Sequence, residues 1–107
     1  MSNWLTVNFM KKDICFEVAS IFNGKYADMF YPIIHKSKLE DSEYLWIYSK
    51  NDNRLVIVIH GGINKPFEII LISAEDDRNV TVEFDNKSKM MSYLKNKLLD
   101  EMMMYEI

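Results

Sequence analysis

Residues 44 to 84 read as four β-strands whose turns, counted out, put one apolar stripe from every strand on the same face of a single antiparallel sheet, and the last of them, Val80 to Asp85, alternates apolar and polar side chains strictly. Tyr44, Trp46 and Tyr48 alternate with Leu45, Ile47 and Ser49. A tight turn over Asn51 and Asp52, residues that tolerate positive φ, pairs Lys50 with Asn53 and therefore Trp46 with Ile57. A turn through Gly61 to Lys65 sets His60 opposite Pro66 and Ile57 opposite Ile69, and a last turn at Glu75 to Arg78 sets Ile69 opposite Phe84. This register places Trp46, Leu55, Ile57, Ile59, Phe67, Ile69, Leu71, Val80, Val82 and Phe84 on one face, which is the expected core. The predicted fold is α+β: a four-stranded antiparallel β-meander, about residues 44–85, with an N-terminal helical segment and a C-terminal amphipathic helix.

The opposite face carries Leu45, Ile47, Val56, Val58, Ile70 and Ile72 at its centre, with Glu68, Thr81, Glu83 and Asp85 toward one side. An aliphatic patch of that size calls for a cover, either a helix or a partner. After Asp85 and Asn86, which can cap, residues 87 to about 105 place Met91, Leu94, Leu98, Met102 and Tyr105 at helical spacing. Upstream, Asp13 can cap a helix with the stripe Ile14, Val18, Ile21 and Phe22, stopped by Asn23 and Gly24. Residues 4–9 fit a strand or an extension of that helix, and the unbroken stripe through Trp4, Val7 and Met10 favours the helix. A short helical turn is expected at Lys25 to Phe30, ended by Pro32, with His35 to Ser42 as a polar connection.

A chain of 107 residues, 49% hydrophobic, is expected to form a single domain over 1–107 with its own core. Its longest aliphatic run, Leu55 to Ile59, is too short to span a bilayer, and the amino terminus lacks the apolar stretch of a signal peptide. No membrane contact and a cytosolic location are therefore expected. The one cysteine, Cys15, excludes an internal disulfide, gives no zinc pattern, and reads as a buried structural thiol.

Chemistry-bearing motifs are incomplete. His60-Gly61-Gly62 resembles an oxyanion loop, but no Gly-x-Ser-x-Gly accompanies it, so the glycines read as turn residues. His35 and His60 lack ligand partners at metal-site spacing, although Glu40, Asp41 and Glu43 lie near His60 in the predicted layout. Asn51-Asp52-Asn53 lacks the downstream glutamate of a calcium loop. No metal, no cofactor and no enzymatic activity are expected. Nucleic-acid binding is disfavoured, because no basic stripe interleaves with aromatics; Lys87, Lys89, Lys95 and Lys97 are followed by Asp100, Glu101 and Glu106.

The net charge is only −3, yet the acids are grouped. Meander geometry brings Asp52 beside Glu75, Asp76 and Asp77 at one sheet end and places Glu40, Asp41 and Glu43 at the other. Such turns can be simply solvated, or they can form an acidic rim aimed at a basic groove. Five of the eight methionines fall in the last helix, and Met102 to Met104 wrap more than half its circumference, so part of that end is exposed or meets another surface.

In its size, its Lys/Asn/Ile-rich stretches such as Asn51-Asp52-Asn53 and Lys95-Asn96-Lys97, and its acidic turns, the chain resembles the small immunity proteins of bacterial toxin systems, including contact-dependent growth inhibition. The resemblance is at the level of a class and rests on no motif. It implies a cytosolic inhibitor that covers the basic active-site groove of a cognate toxin, often a nuclease. By the residue reading above, Asp52, Glu75, Asp76 and Asp77 are the first contact candidates, and Glu40, Asp41 and Glu43 the second. The alternative is a chaperone of the type III secretion kind, which dimerises and binds an effector segment, although residues 44–85 leave no room for the helix that usually interrupts its sheet.

Overall fold

The computed structural model describes residues 8–36, 42–74 and 78–107. Among these residues the order is β1 (Met10–Lys11), α1 (Lys12–Asn23), β2 (Phe30–Lys36), β3 (Ser42–Ser49), β4 (Leu55–Gly61), β5 (Phe67–Ile72), β6 (Asn79–Phe84), α2 (Lys87–Asn96) and α3 (Leu98–Met104). The fold is α+β with one antiparallel sheet, but it has six strands where four were expected, and it is not a simple meander. Glu43 pairs with both Met10 and Lys36, so β1 and β2 flank β3 on opposite sides. Leu45 to Tyr48 pair with both β2 and β4, which puts β1 and β4 end to end along one side of β3. Among the described residues the sheet edges are therefore β2 and β6.

The predicted register fails at one point. Ser49 N–H donates to the Arg54 carbonyl and Tyr48 pairs with Leu55, as the expected turn requires. A β-bulge between Ile47 and Tyr48 then absorbs an extra residue, so Ile47 pairs with Ile57 and Trp46 with Val58. One inserted residue exchanges the two faces of everything beyond it. Leu45 and Ile47 consequently join Ile57, Ile59, Ile69 and Leu71 in the core, while Trp46 moves to the opposite face. The β4–β5 and β5–β6 pairings each differ from expectation by two residues, with Ile57 opposite Leu71 and Ile69 opposite Val82. A shift of two leaves the faces unchanged.

All three helices serve the Ile47 face. α1 buries Cys15, Val18, Ala19, Ile21 and Phe22, close to the expected stripe, and ends at Gly24. The helical extension expected upstream does not continue through Met10, which lies in β1 with its side chain fully buried; the rest of that segment falls largely outside the described residues. Residues 30–36, read from the sequence as a turn and a polar connection, form β2. Lys50 N–H donates to the Met29 carbonyl, and antiparallel alternation from that bond turns the main chain of Phe30, Pro32, Ile34 and Lys36 away from β3. Pro32 thus stands where its missing N–H would have faced the open edge, which is why a proline fits this strand.

The C-terminal helix is two helices, broken at Lys97. The Tyr26 hydroxyl and the Lys25 ammonium donate to the carbonyls of Leu94 and Lys95 at the break. Side chains inserted into the carbonyl ladder are a common cause of such a kink. Met90, Tyr93, Leu94, Leu98 and Met102 face the core, whereas Tyr105, expected in the stripe, is exposed. Asn86 caps α2 by accepting from the Lys89 N–H at 2.9 Å.

Candidate partner-binding surface

Of the acids singled out from the sequence, Asp52 and Glu43 are described, and Glu40, Asp41, Glu75, Asp76 and Asp77 lie outside the described residues. Asp52 is exposed at the β3–β4 turn, where its Oδ2 is 3.7 Å from Arg54 Nε. Arg54 also donates from Nη1 to the Ile72 carbonyl at 3.2 Å, which ties this turn to the end of β5. Glu43 is buried beside Cys15, so its carboxylate does not contribute to an exposed rim. Cys15 is fully buried, and burial first, then the Glu43 charge and hydrogen bond, push its thiol up to about 12. That thiol is inert at neutral pH, because the thiolate is the reactive form.

A second group of acids emerges from the strand register. His60, Glu68 and Glu83 stand in a row across β4, β5 and β6. His60 is fully buried, and its Nδ1 accepts the Asn8 N–H at 2.8 Å, which leaves the proton of the neutral ring on Nε2. Nε2 lies 3.1 Å from Glu68 Oε1, close enough for electrostatic contact but without hydrogen-bond alignment. Burial holds His60 below its ordinary value. Burial raises the Glu68 carboxyl, the hydrogen bond and charge of Glu83 raise it further, and Lys65 opposes them. Glu83 and Asp85 are exposed, and Asp85 pairs with Lys89 at 3.4 Å. The period-two placement of Glu68, Glu83 and Asp85 was visible in the sequence; their alignment with a buried histidine depended on the register.

These shifts have opposite signs. His60 binds a proton less readily folded than unfolded, so its contribution to stability is complete above about pH 6.5 and is lost as pH falls, by at most about 1.4 kcal/mol per pH unit. Glu68 binds a proton more readily when folded and offsets part of that loss, in a window above its ordinary value of 4.5. Melting temperature should therefore decline between pH 7 and 5.5 in the wild type and decline less in His60→Gln. Equal slopes would remove His60 as the titrating group.

The β6 edge combines three further properties. Ser73 N–H donates to the Arg78 carbonyl, and alternation from that bond turns the main chain of Asn79, Thr81 and Glu83 away from β5. Among the described residues no strand pairs with that side. Val80, Val82 and Phe84 face the core but are only partly buried. A cleft of about 340 Å³, lined by Pro66, Glu83, Phe84, Asp85 and Lys89, opens at one end of the edge.

Elsewhere the methionine-rich end is split as its helical wrapping requires. Met102 is buried, while Met103 is 78% and Met104 63% exposed. Met102 and Met103 line an apolar cleft of about 330 Å³ with Met29, Phe30, Val56 and Leu99. On the outer sheet face Tyr31 stacks on Tyr48 at 5.4 Å, and His35 stacks on Tyr44 at 4.9 Å and meets Trp46 at 4.8 Å. Val58, Ile70 and Ile72 form a small buried cluster beneath Trp46 and Leu55. Among the described residues no group of three His, Cys, Asp or Glu side chains could hold a metal ion, and no helix is long and apolar enough to cross a membrane.

No protein-family model, curated protein or solved structure matches the chain.

Proposed function

We propose that the protein is a cytoplasmic protein-binding inhibitor of the immunity class, which neutralises a cognate bacterial toxin by laying an acidic surface over the toxin's basic active-site groove. The observation that carries this reading is the acid row of Glu68 and Glu83 on the outer side of a sheet edge with which, among the described residues, no strand pairs. Acids on a partly apolar surface attract a basic partner from a distance and provide contact area once it arrives. Asp52, exposed at the β3–β4 turn, and Asp76 and Asp77, which lie outside the described residues, are proposed as further contacts. A nuclease fits such a partner because its substrate groove must be basic.

The test uses the product of the open reading frame immediately upstream. Stoichiometric binding with loss of that protein's toxic activity is expected, and neither binding nor inhibition would overturn the reading. Reversing charge at Asp52, Asp76 and Asp77 together should slow association at low salt by about tenfold or more and flatten its salt dependence. An association rate unchanged by the triple reversal would remove these acids from the contact.

A further inference from the structure

The geometry points to β6 as the docking edge for an extended partner segment that adds a seventh, antiparallel strand, with basic side chains on its outer side and apolar ones on its inner side. This inference rests on the inhibitor reading and assigns the contact a place and a chemistry.

The two edges of the sheet are built differently. On β2, Pro32 occupies an outward-turned position and interrupts the row of donors that an incoming strand would need. On β6 the outward-turned residues are Asn79, Thr81 and Glu83, with no proline among them, so the edge offers donors and acceptors in unbroken alternation. The core is also incomplete on this side. Val80, Val82 and Phe84 remain partly exposed, and apolar side chains on a neighbouring strand would cover them.

The outer side sets the charge of the occupant. A strand beside β6 brings alternate side chains next to Thr81, Glu83 and Asp85, with Glu68 one strand further in. Lys89 is paired with Asp85, and Lys65 is the cation acting on Glu68. Lysine or arginine at the facing positions would answer Glu83 and Glu68. A second copy of β6 would instead bring further acids to the same rim, where like charges on neighbouring strands repel.

Thr81→Pro separates strand addition from simple charge attraction. The Thr81 N–H takes no part in the β5 ladder, so the variant should keep its fold and melt within a few degrees of the wild type. It should bind the upstream gene product at least 100-fold more weakly. Backbone amide exchange on the unaltered protein provides a second readout that needs no variant. The Thr81 and Glu83 amides should exchange rapidly in the free protein, while those of Val80 and Val82 are protected. A short synthetic peptide alternating lysine with valine should slow exchange at Thr81 and Glu83, and one alternating glutamate with valine should not.

Toxin binding undiminished by Thr81→Pro in a folded variant would overturn the inference and leave the inhibitor reading intact. Failure of the upstream product to bind, with protection by the lysine peptide retained, would overturn the inhibitor reading and leave the edge assignment standing. Slow exchange at Thr81 and Glu83 in the free protein, together with sedimentation as a dimer, would assign the edge to a second copy and overturn the proposed occupant.

Discussion

Ile47→Ala should lower the free energy of unfolding by about 2–5 kcal/mol, whereas Trp46→Ala, although it removes a much larger side chain, should lower it by less. Ile47 is fully buried on the helix-covered face, and its truncation leaves a cavity that surrounding strands cannot collapse to fill. Trp46 lies on the opposite face, partly exposed, where it packs on the small Val58, Ile70 and Ile72 cluster and meets the rings of His35, Tyr44 and Tyr48. Its indole Nε1 is shielded without a hydrogen-bond partner, which further reduces what the side chain contributes. Urea unfolding of both variants measures the difference directly. The reverse order would mean that the bulge between Ile47 and Tyr48 is absent and that the simple hairpin register holds.

Gly61→Ala should cost about 2–5 kcal/mol, combining backbone strain of about 1–3 kcal/mol with overpacking of a similar size. Gly61 closes β4 at φ +94°, where an L side chain is strained, and a Cβ there would stand 2.2 Å from the Pro66 carbonyl oxygen. The oxygen belongs to backbone held by the β4–β5 ladder, so it cannot move aside without disturbing that pairing. Thermal melting of the variant checks the prediction. A shift below about 2 °C would show that the turn relaxes freely.

Which parts of the fold were legible depended on whether local chemistry was enough. β4, β5 and β6 were readable because their apolar stripes and turn residues agreed, and the shifts of two residues in their pairing left the side chains from Ile57 onward on their expected faces, whereas Leu55 and Val56, before the bulge, are exchanged. β2 was missed because a proline next to a possible helical turn reads as a terminator, and only knowledge that the strand is an edge makes Pro32 acceptable. The break at Lys97 left no local mark either, and the side chains that take up the carbonyls beside it, Tyr26 and Lys25, are far away in the chain. Among the site residues, the exposure of Asp52 and the acids at Glu68, Glu83 and Asp85 could be read from turn chemistry and period. The burial of Glu43 could not, because it follows from β1 and β2 enclosing β3 on both sides.

Taken alone, the sequence determined that this is an α+β chain with an antiparallel sheet, an amphipathic helical cover, an exposed acid at the Asp52 turn and acids on one outer quarter of the sheet. Those properties depend on period, capping and turn preference, which act over a few residues. Only the tertiary structure decided which face of β3 is core, which strands are edges among the described residues, and that the acids of β5 and β6 lie on the outer side of one such edge and beside a buried histidine. A single bulge residue exchanges two faces at little local expense, so the choice between them is made by the packing of α1, α2 and α3 against the whole sheet.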